Sequence, residues 1–230
     1  MGHKVLEQIR GGLIVSCQAL ENEPLHGDGI MQRMAVAAML GGAVGIRANG
    51  PEDIRSIRQK VDLPMIGIIK KVYPDSEIYI TPTIREVELL ADTGAEIISL
   101  DCTDRKRPGG IRLEELYREI REKYPKLLLM ADCSTYQEGM KAAGLGFDLV
   151  ATTMCGYTPY TSQTRLPDVD LVRKLAENCK KPVIGEGGIW SPEQLAAVLD
   201  AGAFAAVVGT AITRPMEITK RFVAALPTWG

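Results

Sequence analysis

The sequence predicts an α/β fold, a single (β/α)8 TIM barrel with a short N-terminal helix. Short runs of β-branched residues alternate with segments of helical period along the whole chain, and eight of these runs are strand candidates. Each βα unit spans roughly 25 to 30 residues, as in known barrels of this class. No segment has the composition of a linker, so we expect one domain over residues 1–230.

The strand candidates are short apolar runs that end in polar or small residues. In chain order they are residues 13–17, 43–48, 65–70, 96–101, 127–132, 149–153, 182–186 and 205–209. Helical patterns lie between them, for example at 51–61, 84–94, 113–123 and 191–202. Ser191 and Pro192 predict the start of the helix at 191–202, and the glycines at 94, 146 and 202 predict left-handed helix ends.

The composition favours a small ligand. The chain is 46% hydrophobic and 24% charged, with a formal net charge of −2, which gives no electrostatic reason to expect nucleic acid or an anionic membrane as a partner. No apolar stretch approaches the length of a membrane span, and residues 1–10 lack the apolar core of a signal peptide, so we expect a cytoplasmic protein.

The cysteines and histidines limit the chemistry. Five cysteines are widely spaced without a C-x-x-C pair, so we expect most of them to be reduced, buried thiols rather than a zinc site. His3 and His26 are the two histidines, and both lie near the N-terminus. Proton transfer is therefore expected to use lysine, aspartate or glutamate.

The loops after the last two strands predict a phosphate site. Gly187 and Gly188 follow the seventh strand, and the segment V-V-G-T-A-I-T-R-P (207–215) follows the eighth. Glycines let backbone N–H groups approach an anion, a helix beginning near Thr210 would direct its N-terminus toward it, and Arg214 would add a charge-assisted bond. The alternative is that these glycines serve only the packing of turns.

Lys70 and Glu186 are the candidate acid/base groups. An ammonium at the end of the third strand would be partly desolvated, and Arg47 would lower its pKa further, so Lys70 suits a general base or a Schiff-base nucleophile. Lys71 should point away from the barrel interior. A carboxylate in V-I-G-E-G-G is costly without a partner. Either residue has a simpler alternative, a structural ion pair with its neighbours.

Two further groups of charged residues end strands or follow them. Asp101 and Asp132 close the fourth and fifth strands, and we favour contacts with sugar hydroxyls. A magnesium site remains an alternative, whereas the scarcity of histidine argues against transition metals. The basic run Arg105-Lys106-Arg107-Pro108 is expected to be a solvated loop, with a lid over the site as the alternative.

The sequence resembles the bacterial N-acetylmannosamine-6-phosphate 2-epimerase family over nearly its whole length. The segments that carry the resemblance are I-V-S-C-Q-A-L-E-N-E-P-L (14–25), G-I-R-A-N (45–49), V-D-L-P-M-I-G-I-I-K (61–70), Y-I-T-P-T (79–83), L-D-C-T-D-R-K-R-P (100–108), M-A-D (130–132), T-T-M-C-G-Y-T (152–158) and V-V-G-T-A-I-T-R-P (207–215). The chain departs from the family pattern at Cys102, where alanine is usual, and at Gly187-Gly188, where some members have Gly-Asn.

The resemblance implies a homodimeric (β/α)8 enzyme without cofactor or metal that interconverts N-acetylmannosamine 6-phosphate and N-acetylglucosamine 6-phosphate in sialic acid breakdown. It implies Lys70 and Glu186 as catalytic residues. The implied contacts to the sugar are Gln18, Arg47, Asp132, Thr153 and Tyr157, and those to the phosphate are Gly187, Gly188, Gly209, Thr210 and Arg214. From the residues alone, a Schiff-base aldolase and a non-catalytic phosphosugar sensor remain alternatives, and metal-dependent pentose-phosphate epimerisation is disfavoured.

Overall fold

The computed structural model, which describes residues 2–227, is a closed barrel of parallel strands surrounded by helices. The strands are β1 (Leu13–Cys17), β2 (Gly45–Asn49), β3 (Met65–Ile68), β4 (Ile97–Asp101), β5 (Leu128–Asp132), β6 (Leu149–Ala151), β7 (Val183–Glu186) and β8 (Ala205–Val208). They follow one another around the ring in sequence order, and β8 pairs with β1 to close it. The predicted (β/α)8 fold is confirmed.

Ten α-helices lie within residues 2–227. They are α1 (Gly2–Ile9), α2 (Ile30–Leu40), α3 (Pro51–Arg58), α4 (Ile84–Ala91), α5 (Leu113–Lys123), α6 (Tyr136–Leu145), α7 (Val169–Asn178), α8 (Pro192–Asp200), α9 (Thr210–Thr213) and α10 (Pro215–Val223). Ser191 caps α8 as predicted, its hydroxyl accepting from the backbone N–H of Gln194. None of these helices combines the length and hydropathy that a membrane span requires.

The alternation of side chains along each strand separates two apolar regions. Inward-facing residues such as Ile14, Ile66 and Met130 fill the N-terminal half of the barrel together with Val5 and Ile9 of α1. The predicted short N-terminal helix therefore covers the bottom of the barrel. Outward-facing residues of the same strands pack against the surrounding helices. The C-terminal half of the barrel is left for polar side chains.

Gly185 explains why Glu186 faces inward. A Cβ at Gly185 would lie 2.2 Å from Val198 Cγ1 of α8, so only glycine lets this helix approach β7. Because side chains alternate along a strand, the next residue, Glu186, points into the barrel. The same alternation places Lys71 outside, where its ammonium lies 3.6 Å from a carboxylate oxygen of Glu86. The predicted outward direction of Lys71 is confirmed.

Two strands, β3 and β6, end two residues before their predicted ends. β3 ends at Ile68, because residues 69–71 leave the ring and pair antiparallel with residues 79–81. Lys70 is thus held by a local two-stranded bridge rather than by the barrel ladder. β6 ends at Ala151, and the Thr152 hydroxyl instead bonds the backbone of Glu186, donating to its carbonyl and accepting from its N–H.

The prediction of a solvated basic loop over residues 105–108 is wrong for both arginines. The Arg105 guanidinium pairs with Asp101 at 2.6 Å, with only 7% of its side chain exposed. Arg107 is also buried and donates to the backbone carbonyl of Asp101. A buried carboxylate is costly without a cation beside it, and the arginines of this loop supply that cation. The loop therefore packs against the barrel instead of extending into solvent. All five cysteines are free and buried, as predicted.

Candidate active site

A cavity of about 220 Å³ opens at the C-terminal ends of the strands. All of the predicted site residues except Asp132 line it. They are Gln18, Arg47, Lys70, Thr153, Tyr157, Glu186, Gly187, Gly188, Gly209, Thr210 and Arg214. Segments that are far apart in the chain therefore meet at one surface, as the arrangement of a closed parallel barrel requires.

Arg47 is the buried cation of the site. Its NH1 donates to Asp132 Oδ1 at 3.0 Å and to Glu186 Oε2 at 2.8 Å, and its NH2 donates to Asp132 Oδ2 at 2.6 Å. Burial alone would lower the pKa of Arg47, but the two carboxylates raise it above its ordinary value. The guanidinium therefore stays charged, and one edge of it faces the cavity.

Asp132 lies behind the cavity wall rather than on it. Its carboxylate is fully buried and accepts from Arg47 and from the hydroxyl of Thr153 at 2.6 Å. The sequence predicts a direct contact between Asp132 and the sugar, but in the structure Asp132 lies behind the residues that line the cavity. Asp132 orients the groups that do face the cavity.

Glu186 has properties of an acid/base group. Burial raises the pKa of its carboxyl to about 7, although the charge of Arg47 acts in the opposite direction. Oε2 lies 3.1 Å from the hydroxyl oxygen of Thr153. The single hydrogen of the Thr153 hydroxyl is directed to Glu186 Oε2 or to Asp132 Oδ1, and its bond to Glu186 lowers the pKa of that carboxyl, against the larger effect of burial. A buried carboxyl whose pKa lies near neutral pH can both accept and release a proton.

Lys70 faces the same cavity without an ion-pair partner among residues 2–227. Burial and the guanidinium groups of Arg47 and Arg214 lower the pKa of its ammonium to about 8. The backbone N–H of Lys70 donates to the Asn49 side chain at 2.8 Å, which ties the segment after β3 to β2. Lys70 is therefore a positioned amine that is neutral far more often than an exposed lysine.

The glycine loops form the other end of the cavity. The backbone N–H groups of Gly187, Gly188 and Gly209 donate no hydrogen bond within the described part of the chain. Gly188 has φ +68°, and a Cβ there would lie 2.3 Å from Leu166 Cβ, so glycine is required on two grounds. α9 begins at Thr210 as predicted. This end offers several donors to an anion.

Arg214 lines this end and is paired with Glu23. Arg214 Nε donates to Glu23 Oε1 at 2.8 Å, and its NH2 contacts the same oxygen. Burial raises the pKa of Glu23, but bonds from the Leu20 backbone and from Arg214 lower it to a net value below the ordinary one. The carboxylate therefore stays charged and orients the guanidinium.

Comparison with known proteins identifies the family. The family model described as "Putative N-acetylmannosamine-6-phosphate epimerase" matches residues 31–228. This chain belongs to that epimerase family. It is 53% identical over 219 residues to the "Putative N-acetylmannosamine-6-phosphate 2-epimerase" of Caldanaerobacter subterraneus subsp. tengcongensis, covering 95% of this chain and 92% of the relative. A Clostridium perfringens relative of the same designation is 54% identical over 218 residues, covering 95% of this chain and 98% of the relative.

Solved structures agree. The structure of the N-acetylmannosamine-6-phosphate 2-epimerase from Clostridium perfringens superposes with a TM-score of 0.92 at 53% identity, covering 96% of either chain. Thiamine phosphate pyrophosphorylase from Pyrococcus furiosus superposes with a TM-score of 0.61 at 18% identity, over 96% of this chain and all of that one. The second similarity concerns the barrel fold alone.

In this member of the epimerase family, several cavity residues were not singled out from the sequence. Glu23 pairs with Arg214 and Trp190 follows the glycine loop after β7, whereas Tyr79, Ile80 and Met154 belong to one apolar cluster, in which Ile80 pairs with Lys70. All of these except Trp190 stand within segments that carry the family resemblance, which was the available signal. Residue type alone gave no signal for Ile80 and Met154, because isoleucine and methionine are common core residues.

Proposed function

We propose that the protein interconverts N-acetylmannosamine 6-phosphate and N-acetylglucosamine 6-phosphate by moving the proton at C2. The observation that supports this most is an amine of pKa about 8 and a carboxyl of pKa about 7 lining one cavity, Lys70 and Glu186, beside glycine loops with free N–H groups. The names of the relatives point to the same reaction.

Lys70 is the base in this proposal. The hydrogen at C2 is acidic only when C1 is a free aldehyde, so the open form of the sugar is the reacting one. With a pKa of about 8, roughly a tenth of Lys70 is neutral at pH 7, whereas an ordinary lysine is neutral in far less than a hundredth of molecules. Neutral Lys70 takes the C2 proton and becomes ammonium, and the electron pair moves to the aldehyde oxygen as an enolate.

Arg47 and Glu186 complete the proposed chemistry. The Arg47 guanidinium balances the negative charge of the enolate, and Asp132 holds it in place from behind. Glu186 is the acid/base partner, since its raised pKa lets it hold a proton near neutral pH. Return of a proton to the opposite face of C2 inverts the centre.

The remaining predicted residues bind the substrate in this proposal. The phosphate lies against Gly187, Gly188, Gly209 and the start of α9 at Thr210, with Arg214 supplying a charge-assisted bond. Of the five predicted sugar contacts, Gln18, Thr153 and Tyr157 serve binding only, whereas Arg47 also balances charge and Asp132 acts through Arg47. Tyr157 is 54% exposed at the rim, a position suited to a substrate that closes the mouth.

Proton NMR in D2O without added metal tests the reaction. Incubation with N-acetylmannosamine 6-phosphate should produce N-acetylglucosamine 6-phosphate with deuterium at C2. Glu186→Gln should keep phosphate binding but lose most turnover, whereas full turnover would make Glu186 a counter-ion of Arg47. An unchanged sugar with its C2 proton retained would refute the epimerase, and a lysine adduct trapped by borohydride would indicate an aldolase.

A single-turnover experiment separates the two routes for the returning proton. With C2-deuterated substrate in ordinary water, one base that both removes and returns the proton carries some label into the product. Two bases, Lys70 and Glu186, give a product without label at C2. The result assigns the second step to one residue or the other.

We also propose that the protein is a homodimer that uses α10. This helix buries none of its residues, and Phe222 and Val223 are 74% and 58% exposed. Exposed apolar side chains grouped on one element favour an interface. Sedimentation should show a dimer that Phe222→Asp dissociates. Leu40→Asp, which changes an isolated residue that is 80% exposed, is the control.

We propose a cytoplasmic location. Five free, buried cysteines suit a reducing compartment, and the proposed substrate is a phosphorylated sugar, which membranes retain. Cell fractionation of the producing organism tests this. Recovery of the protein in the extracellular or membrane fraction would contradict it.

A further inference from the structure

Part of the cavity wall is apolar, and the proposed chemistry does not use it. Ile68, Ile80 and Met154 are 0%, 3% and 1% exposed and form one cluster with Tyr79. All four residues line the cavity. The Tyr79 hydroxyl lies 3.8 Å from the Met154 sulfur, so the ring and the thioether share one surface. We call Ile80, Met154 and Tyr79 the apolar wall.

The apolar wall lies directly beside Lys70. Lys70 and Ile80 are cross-strand partners, flanked by the bonds Lys71 N to Tyr79 O at 2.8 Å and Thr81 N to Ile69 O at 2.7 Å. This pattern is that of a non-hydrogen-bonded antiparallel pair, whose side chains lie on the same face with Cα atoms about 4.5 Å apart.

The segment that presents Ile80 is held in an unusual conformation. Thr81 has φ +45°, which is rare for a β-branched residue, and its side chain is fully buried. Its hydroxyl accepts from the backbone N–H of Ile69 at 3.3 Å. The strained residue and its bonds to residue 69 therefore set the position of Ile80 relative to Lys70.

The proposed substrate carries an acyl chain that would lie beside Lys70 and the apolar wall. The carbon that Lys70 deprotonates, C2, also carries the acylamino group, and the acyl methyl lies three bonds from it. The phosphate is held from β7 and β8, whereas Lys70 and Ile80 follow β3, which lies opposite β7 in the ring. A sugar that spans the cavity between these ends brings its C2 substituent toward the apolar wall.

We propose that Ile80, Met154 and Tyr79 form an acyl subsite that accepts the methyl of the N-acetyl group and limits the length of the acyl chain. This inference rests on the proposed function, of which it defines the substrate specificity. A closed apolar pocket discriminates one methylene by about 10- to 200-fold. Met154 is the residue whose size sets the limit, because it is 1% exposed, lines the cavity and contacts the Tyr79 hydroxyl.

A series of acyl chains tests the subsite. The kcat/KM of N-acetyl-, N-propionyl- and N-butyrylmannosamine 6-phosphate is measured for the wild type, Met154→Ala, Ile80→Val and Met130→Ala. Met130 is the matched control, because it is equally buried in the barrel but belongs to the cluster at the bottom. Thermal melts show which variants are folded, and Ile80→Val removes only one methylene should Met154→Ala fail to fold.

The wild type should prefer the acetyl over the propionyl substrate by at least about tenfold. Met154→Ala should reduce that preference by about tenfold, Ile80→Val should reduce it in the same direction, and Met130→Ala should leave it unchanged. An unchanged preference in both wall variants, with full turnover of the acetyl substrate by the wild type, overturns the subsite and leaves the proposed function intact. Absence of any turnover by the wild type overturns the proposed function itself.

Discussion

Two neighbouring aspartates show how similar sequence positions acquire different roles. Asp101 and Asp132 end adjacent strands, are paired in register, and are both fully buried against an arginine. The partners of Asp101 are local, Thr103 and Arg105. The partners of Asp132 are Arg47 and Thr153, which lie 85 and 21 residues away in sequence.

The difference lies in what each cluster faces. Arg47 and Thr153 line the cavity and contact Glu186, so the Asp132 cluster is connected to the groups proposed for chemistry. Neither Asp101 nor Arg105 lines the cavity. A buried ion pair at a strand end is therefore insufficient to indicate a site, and a connection to cavity-facing titratable groups is the more informative feature.

The largest expected effect comes from Lys70→Met. Removal of the proposed base should lower kcat by about 10²- to 10⁴-fold. The folded protein holds the pKa of Lys70 at about 8, below its ordinary value of 10.5, so the wild type loses stability as pH falls from 10.5 to about 8, and the loss is complete below pH 8. The variant should thus unfold at a higher temperature than the wild type below pH 8, and this gain should shrink as pH rises from about 8 toward 10.5.

Lys71→Met is the control for that experiment, since Lys71 is half exposed and lies outside the cavity. It should retain activity, because the Lys71 ammonium lies against Glu86 rather than in the cavity. Equal loss of activity in both variants would remove the distinction between the two lysines.

The comparison of the two clusters is tested most directly by Arg47→Leu and Arg105→Leu. Each change leaves a buried carboxylate without its cation, which costs about 3–5 kcal/mol of unfolding free energy in typical cases. Only Arg47→Leu should also lower kcat of the folded fraction, by at least about tenfold. Urea unfolding and assays of refolded material at equal folded concentration give both quantities. Similar kcat losses would mean that both clusters serve catalysis.

A smaller effect is expected from Arg214→Ala. Loss of a charge-assisted bond to phosphate of about 1.5–3 kcal/mol should raise KM by about 10- to 100-fold. Because Arg214 lowers the pKa of Lys70, the change should also move the rise of kcat/KM with pH to higher pH. Arg221→Ala is the control, since Arg221 stacks on Trp190 at 4.6 Å but does not line the cavity. A KM equal to that of the control would contradict the phosphate role.

The smallest expected effect is the change that Asp132→Asn makes in the pKa of Glu186. The negative charge of Asp132 helps to raise the pKa of Glu186, so Asp132→Asn should lower that pKa from about 7. The part of the pH dependence of kcat/KM that is due to the ionisation of Glu186 should then move to lower pH. Asp101→Asn should leave it unchanged. NMR of the Glu186 carboxyl carbon measures the same pKa without turnover. A shift to higher pH would contradict the arrangement.

The sequence by itself determined the eight strands, their inward and outward faces and half of the cavity residues. Two of the causes are local, namely the period of two along a strand and helix caps such as Ser191. The third is the closure of the parallel barrel, which brings all strand ends together. Lys70 and Glu186 were candidate acid/base groups from their positions alone, and the family resemblance favoured catalysis over a structural ion pair.

Tertiary structure alone decided which charges meet. The local bridge that carries Lys70 away from the ladder, the burial of Arg105 and Arg107, the pairing of Arg214 with Glu23 and the position of Asp132 behind the wall were not evident from the sequence. Each depends on distances between residues that are far apart in the chain or on competition between several nearby cations. The energy of a buried charge depends on its full surroundings, and a residue pattern does not contain them.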